Sequence, residues 1–273
     1  MDAKTLDRAN AEFWNELCGT TFARHLGIRD HSPESLRRFD QAYLELYPYL
    51  LERVPLSTMA GKRVLEVGLG YGTLGQKIVE AGAIYTGLDI ARGPVAMLNN
   101  RLRLQGLPGD AMQGSMLGCP LADESVDVVV SIGCFHHTGS VERCIDETWR
   151  VLKPGGRAYF MVYNAFSYRQ WLKWPVRTLQ TALGWARPGT DTAASAAQRK
   201  AYDANTAGVA APETVFVSKT QLRAMLKRFS EFRLWLENCD HVTLRGRVIV
   251  PRRLLLAAVG RMIGLDIYVA ARK

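Results

Sequence analysis

From Ala60 onward, apolar runs of strand length alternate with stretches of helical spacing. Arg63 to Val67 predicts a strand, and Gly72 to Ala81 predicts the helix that follows a glycine turn. Ile84 to Asp89 reads as a second strand, Pro94 to Leu104 as a helix, and Ala111 to Gln113 as a short third strand. Val126 to Ile132 is nearly all apolar and β-branched, the pattern of a central strand buried on both faces. Val141 to Leu152 has helical spacing and runs into Lys153-Pro154-Gly155-Gly156, whose proline and glycines cannot continue it. Arg157 to Tyr163 is then a fifth strand. Strands alternating with crossover helices predict a mostly parallel sheet.

Two helices are predicted ahead of this core, Leu6 to Leu17 and Ser35 to Val54. The second places Leu36, Phe39, Tyr43, Leu46, Tyr47 and Leu50 at helical spacing. After the core, Trp185 to Pro212 is rich in Ala, Thr, Gly and Pro without clear periodicity, and reads as a long loop or a partly helical excursion. Long loops in compact domains often form lids or binding segments. Thr220 to Phe229 is a further helix, and Glu231 to Glu237 and Leu265 to Ala271 are closing strands. The chain therefore divides into a helical cap over 1–59, a core over 60–164, an insertion over 165–218 that would cover an acceptor, and 219–273, which completes the sheet.

Composition fits one decorated domain: 273 residues, 48% apolar, bury a substantial core. Charge adds a direction. The net +9 resides in the last third, where residues 165–273 hold 18 basic against 7 acidic side chains. Such a surplus attracts nucleic acid, anionic lipid or a small acidic substrate, or forms an ordinary solvated face. Asp2, Lys4, Asp7 and Arg8 interrupt any early apolar run, so no signal peptide is read and the cytoplasm is the expected compartment. Val248 to Ala271, the most hydrophobic tract, is broken by Pro251, Arg252, Arg253, Arg261 and Asp266, too often for a membrane span. The five cysteines, Cys18, Cys119, Cys134, Cys144 and Cys239, lack the paired spacing of zinc or redox sites and read as free thiols.

Candidate chemistry concentrates in Val64-Leu65-Glu66-Val67-Gly68-Leu69-Gly70-Tyr71-Gly72, a strand running into three alternate glycines. Glycine there lets a ligand approach the main chain, and the next helix presents its free amides to the same crevice. Gly70-Tyr71-Gly72-Thr73-Leu74-Gly75 also satisfies a nicotinamide-binding pattern, but counting from Gly68, the first glycine after the strand, puts Thr73 where the last glycine belongs. Glu66 would sit awkwardly beside a pyrophosphate and would suit a ligand carrying sulfonium and ammonium charges. Asp89 ends the second strand, where it either accepts from both hydroxyls of a ribose or caps the following helix.

These residues, with Leu121-Ala122-Asp123-Glu124-Ser125-Val126-Asp127-Val128-Val129 and Arg150-Val151-Leu152-Lys153-Pro154-Gly155-Gly156, resemble the class I S-adenosylmethionine-dependent methyltransferases over residues 60–164. The resemblance implies an α/β, Rossmann-like, seven-stranded, mostly parallel sheet with helices on both faces and the last strand antiparallel. It implies S-adenosyl-L-methionine as cofactor and S-adenosyl-L-homocysteine as product. Glu66, Gly68 and Gly70 would face the methionine part, Asp89 the ribose, and Ile90, Ser115 and Met116 the adenine, with Ser131 also on the cofactor side. Many relatives carry Asp where Ser115 stands, so a hydroxyl would replace a carboxylate there.

Methyl transfer from a sulfonium is an in-line displacement that needs alignment, exclusion of water and, for some acceptors, a base. No metal is required, and none is expected. Ser131-Ile132-Gly133-Cys134-Phe135-His136-His137 leaves the fourth strand where relatives place their acceptors. Either His136 or His137 acts as the base, or both bond to backbone and pack beside the cofactor. Tyr43, Tyr163, Asn164, Tyr168 and Tyr202 line the acceptor pocket or belong to the core; Trp14, Phe39, Phe166, Asp203 and Asn205 are further wall or lid candidates. The first functional expectation is methylation of an oxygen or nitrogen atom of a small-molecule metabolite or natural product. The alternatives are a tRNA or other RNA, motivated by the basic last third, and a lipid or quinone reached at a membrane surface. Arg245, Arg247, Arg252 and Arg253 beside Leu254 to Val259 motivate the last, which would make the protein a peripheral membrane partner.

Overall fold

The computed structural model describes residues 2–185, 194–244 and 247–273. Four helices come first, α1 (Ala3–Phe13), α2 (Thr20–His25), α3 (Pro33–Leu46) and α4 (Leu50–Arg53). Strands β1 (Arg63–Val67), β2 (Ile84–Asp89), β3 (Asp110–Gln113), β4 (Val126–Ile132) and β5 (Leu152–Tyr163) alternate with helices α5 (Thr73–Glu80), α6 (Arg92–Gln105) and α7 (Val141–Val151). After β5 come α8 (Tyr168–Lys173), α9 (Pro175–Ala182), α10 (Ala196–Tyr202) and α11 (Lys219–Met225). Strand β6 (Glu231–Glu237), a hairpin of β7 (Val242–Leu244) and β8 (Arg247–Val250), and β9 (Asp266–Arg272) close the chain.

Seven strands form one sheet in the order β3-β2-β1-β4-β5-β9-β6. The first five are parallel, and β9 runs antiparallel to both β5 and β6, as the resemblance implied. The chain winds outward from β1 to β3 and then returns to place β4 on the other side of β1. A crevice opens where the winding reverses, at the carboxyl ends of β1 and β4. Registers Val67↔Leu88 and Ile132↔Met161 bring the glycine turn, Asp89 and the exit of β4 to that one edge.

Alternate residues of each strand serve opposite cores. Leu65, Val67, Val129, Phe160 and Ile267 pack under α7 and α11; Val64, Val128, Val130, Tyr159 and Tyr268 pack under α4, α5 and α6. Burial on both faces is why β4 reads as an unbroken apolar run. A smaller cluster of Ala23, Ile28, Leu36, Phe39, Tyr71 and Met97 holds the amino-terminal helices against the glycine turn.

Several elements differ from the sequence expectation. The helix expected over Ser35 to Val54 breaks into α3 and α4, because Tyr47 leaves helical geometry at φ −119° and Pro48 has no N–H to donate. Strand β5 begins at Leu152, earlier than expected, and accommodates Lys153-Pro154-Gly155-Gly156 with a register shift against β4. Part of the Trp185–Pro212 excursion, residues 186–193, lies outside the described residues, and the remainder contains α10, capped reciprocally by Ser195 and Gln198. The expected basic amphipathic segment near the carboxyl end is the β7–β8 hairpin followed by short helical turns. Arg245 lies outside the described residues, and Arg252 points inward and is buried.

Candidate active site

The turn after β1 is shaped by contacts a larger residue would prevent. Gly68 adopts φ +82°, and its N–H donates to Leu88 O at 2.9 Å. A Cβ at this position would overlap Cys134 Cβ and stand 3.1 Å from its Sγ, so the turn and the exit of β4 close on each other only with glycine. Asp89 spans two turns, its Oδ2 accepting from Leu69 N at 2.8 Å and its Oδ1 from Ala91 N at 2.9 Å. Burial pushes this carboxyl up to about 6, against the pull of the two N–H donors.

Glu66 lies deeper. It accepts from Tyr85 Oη beneath Gly75, where a Cβ would stand 2.5 Å from Glu66 Oε2 and 2.6 Å from Tyr85 Oη. Burial raises Glu66 to about 8; the Tyr85 hydroxyl opposes the shift and nearby Asp89 adds to it. Two buried acids thus flank a turn whose main chain is open to a ligand.

A cavity of about 800 Å³ starts at this turn. Glu66, Gly68, Gly70 and Asp89 line its first part, and Ile90, Ser115 and Met116 continue the wall. Ser115 caps a short turn, its Oγ accepting from Leu117 N at 3.3 Å. His137, Tyr43, Tyr163 and Tyr202 line the same cavity. Ser131 does not reach the cavity: it is fully buried within β4, and Ile132, Gly133 and Cys134 form the wall there.

Three further expected residues lie behind the wall. His136 is fully buried beside the Tyr163 ring, 3.9 Å between centroids, and neither ring nitrogen has a hydrogen-bond partner among the described residues. Burial holds its pKa well below the usual histidine value, and the neighbouring His137 adds to that shift. Asn164 fastens the chain after β5, donating from Nδ2 to Gly264 O at 2.9 Å and accepting from Phe166 N at 3.0 Å. Tyr168 joins α8 to Asp240, donating to Oδ2 and accepting from Asp240 N, both at 2.7 Å.

His137 is held from several sides. Its Nδ1 lies 2.7 Å from Glu213 O, an acceptor, so the proton belongs on Nδ1 and Nε2 faces Asp203 Oδ2 at 3.5 Å. The Trp14 ring packs at 4.7 Å, and Asn10 Nδ2 donates to the His137 carbonyl at 2.8 Å. Burial raises the Asp203 carboxyl above its ordinary value, with His137 and Tyr163 opposing.

Asp266, the first residue of β9, also lines the cavity and was not singled out from the sequence as a site residue. Its Oδ2 accepts from Asn238 Nδ2 at 2.8 Å, while Oδ1 is buried with no hydrogen-bond partner among the described residues. Burial pushes the carboxyl up to about 7; Asn238, Arg169 and Arg252 oppose this. Arg252 Nη2 donates to Asn238 Oδ1 at 2.9 Å, completing an Arg252–Asn238–Asp266 chain, and the guanidinium also donates to Cys239 O at 2.7 Å and to Leu46 O. An acid inside the apolar stretch Leu265-Asp266-Ile267-Tyr268 was the available sequence signal.

Comparison with known proteins follows the same outline. Residues 65–160 match the family described as the methyltransferase domain. The phthiotriol/phenolphthiotriol dimycocerosates methyltransferase of Mycobacterium tuberculosis is 35% identical over 119 residues, 43% of this chain and 42% of that protein. The ribosomal RNA small subunit methyltransferase C of Chromohalobacter salexigens is 34% identical over 164 residues, 58% of this chain and 46% of that protein. The chain thus spans less than half the length of these curated relatives. An S-adenosylmethionine-dependent methyltransferase from Mesorhizobium loti superposes with a TM-score of 0.53 at 18% identity, covering 83% of this chain and 97% of that one. Residues 65–160 are thus similar to a methyltransferase domain, and the chain shares the Rossmann-like fold of a solved S-adenosylmethionine-dependent methyltransferase.

Proposed function

We propose that the protein is an S-adenosyl-L-methionine-dependent methyltransferase acting on an oxygen or nitrogen atom of a small molecule. The observation that carries this reading is one cavity lined both by the glycine turn and by the buried proton-accepting groups His137 and Asp266. The turn fits the cofactor: Gly68 keeps main chain exposed, and Glu66 and Asp89 are acids suited to an ammonium and to ribose hydroxyls. Glu66, Gly68 and Gly70 would hold the amino-acid part, Asp89 the ribose, and Ile90, Ser115 and Met116 the adenine. The bound cofactor supplies an electrophilic methyl group on a sulfonium.

The chain's own residues then have three tasks. Trp14, Tyr43, Tyr163 and Tyr202 wall the acceptor end and exclude water. Asp266, whose buried Oδ1 has no hydrogen-bond partner among the described residues, orients a donor group of the acceptor. His137 is the better base of the two histidines, because it lines the cavity while His136 does not, and its Nε2 faces the cavity-lining Asp203. His136 lies behind Tyr163 and serves packing.

The two curated relatives are named for different acceptors, so the acceptor class is inferred from the cavity, whose lining includes aromatic side chains and buried carboxyls. Incubation with methyl-labelled cofactor and a fractionated metabolite extract, beside bulk tRNA and rRNA, tests this. Label is expected in the small-molecule fraction; label confined to RNA would overturn the reading.

A further inference from the structure

Helices α8 and α9 carry an apolar stripe that the described residues leave uncovered. Leu172, Val176, Leu179 and Leu183 recur at intervals of three and four residues and are all exposed, Leu172 at 77% and Val176 at 70%. Trp185 extends the stripe at 79%. Residues 166–185 contain no carboxylate but do contain Arg169, Lys173 and Arg177.

A second segment has the same composition. Exposed Val248, Ile249, Leu254, Met262 and Ile263 interleave with exposed Arg247, Arg253 and Arg261, and no Asp or Glu occurs between His241 and Leu265. Lys173, Arg247, Arg253 and Arg261 make no ion pair among the described residues. The two segments meet at Asp240, which accepts from Tyr168 Oη at 2.7 Å and Arg169 Nη2 at 2.6 Å and leads into β7. Asp240, His241 and Thr243 line the cavity and are themselves exposed, so the acceptor end opens to solvent beside both segments.

Soluble proteins seldom leave apolar patches of this kind uncovered without a use for them. The interleaved cations select the occupant. A second copy of the chain would set Lys173, Arg247, Arg253 and Arg261 against like charges, whereas an anionic bilayer pairs them with phosphates and receives the apolar side chains at the headgroup boundary. No helix among the described residues is long and apolar enough to cross a membrane, so the contact is peripheral.

We infer that the α8–α9 stripe, with the β7–β8 hairpin and the turns that follow it, docks the protein on an anionic lipid bilayer and holds the cavity mouth at the headgroup layer. The weight falls on Leu172, Val176, Leu179, Leu183 and Trp185; Arg252 takes no part, because it is buried in the Asn238 network.

Co-sedimentation of the full chain with vesicles of phosphatidylcholine alone, and of phosphatidylcholine with phosphatidylglycerol, tests the inference without cofactor or acceptor. Binding is expected only with phosphatidylglycerol and should weaken as salt rises. Combined Val176→Glu, Leu179→Glu and Leu183→Glu should lower vesicle affinity by about tenfold or more, with circular dichroism and S-adenosylhomocysteine binding retained. Absence of binding to phosphatidylglycerol vesicles, or undiminished binding by the folded triple variant, would overturn the inference. So would a lipid-free dimer in light scattering that the same substitutions dissociate, since it would assign the face to a second copy.

Discussion

Arg101 and Asp40 meet in a two-point ion pair, Nη1 to Oδ2 and Nη2 to Oδ1 both at 2.9 Å, with the arginine fully buried. Asp40 also accepts from Thr73 Oγ1 at 2.6 Å, and Arg101 Nη1 donates to Gln76 at 3.0 Å. The pair therefore joins α3 and α6 to the first turn of α5, next to the glycine loop. Removing one partner strands the other charge in the interior, so Arg101→Met should destabilise the fold by about 3–5 kcal/mol. Adding Asp40→Asn should restore part of that loss, because no unmatched charge remains. Urea unfolding reads both; a single variant with an unchanged midpoint would contradict the coupling.

The two acids of the glycine turn give opposite pH dependences for folding and binding. Folded Glu66 stands at about 8 and Asp89 at about 6, above unfolded values of roughly 4.3 and 3.9. Their protonated forms favour the folded state, and that contribution is complete below the unfolded values. It is lost as pH rises, by about 6 for Asp89 and about 8 for Glu66. The ligand-free protein should therefore lose stability between pH 5 and pH 8, and Glu66→Gln should flatten the upper part of that decline. A cationic ligand beside Glu66 favours the carboxylate, so affinity for S-adenosylmethionine should rise from pH 6 to pH 8 in the parent and much less in Glu66→Gln. Calorimetry at several pH values decides it, and affinity independent of pH in the parent would remove Glu66 from the ligand's surroundings.

His137 and His136 separate by position. His137 reaches the cavity and Asp203, while His136 is sealed behind Tyr163. His137→Ala should lower kcat by about 10²–10⁴-fold, with S-adenosylhomocysteine affinity unchanged. Asp203→Asn should give a smaller drop, since it removes the charge facing Nε2 but leaves the base. His136→Phe, which keeps a ring in the buried site, should retain most activity. Equal kcat losses in His136→Phe and His137→Ala, with both variants folded, would refute this division.

What was legible in the chain follows its locality. The sheet could be read because β1, β2, β4 and β5 are largely buried, leaving apolar runs bounded by turn residues. The glycine turn and Asp89 could be read because their chemistry lies within one β-α-β unit. The Arg252–Asn238–Asp266 chain could not: its members come from separate elements, with no spacing along the chain to link them. Helices α8 and α9 were not assigned from the sequence, because Pro175 and Gly184 divide the stretch into pieces of 6 and 8 residues, even though its apolar residues keep helical spacing. The single helix expected over Ser35 to Val54 failed at Pro48, where the apolar period continues but the backbone does not.

Gly68 offers the sharpest test of the loop, because two separable effects oppose substitution there. Its φ of +82° disfavours any side chain, and the space a Cβ needs is held by Cys134. Gly68→Ala should cost about 1–3 kcal/mol of stability and weaken S-adenosylhomocysteine binding, as the loop shifts away from β4. Cys134→Gly in the same chain frees the space but leaves the backbone strain. The double variant should therefore recover part of the binding and only part of the stability. Full recovery of both would make the clash with Cys134 the whole cause, whereas no recovery of either would make it the backbone angle alone.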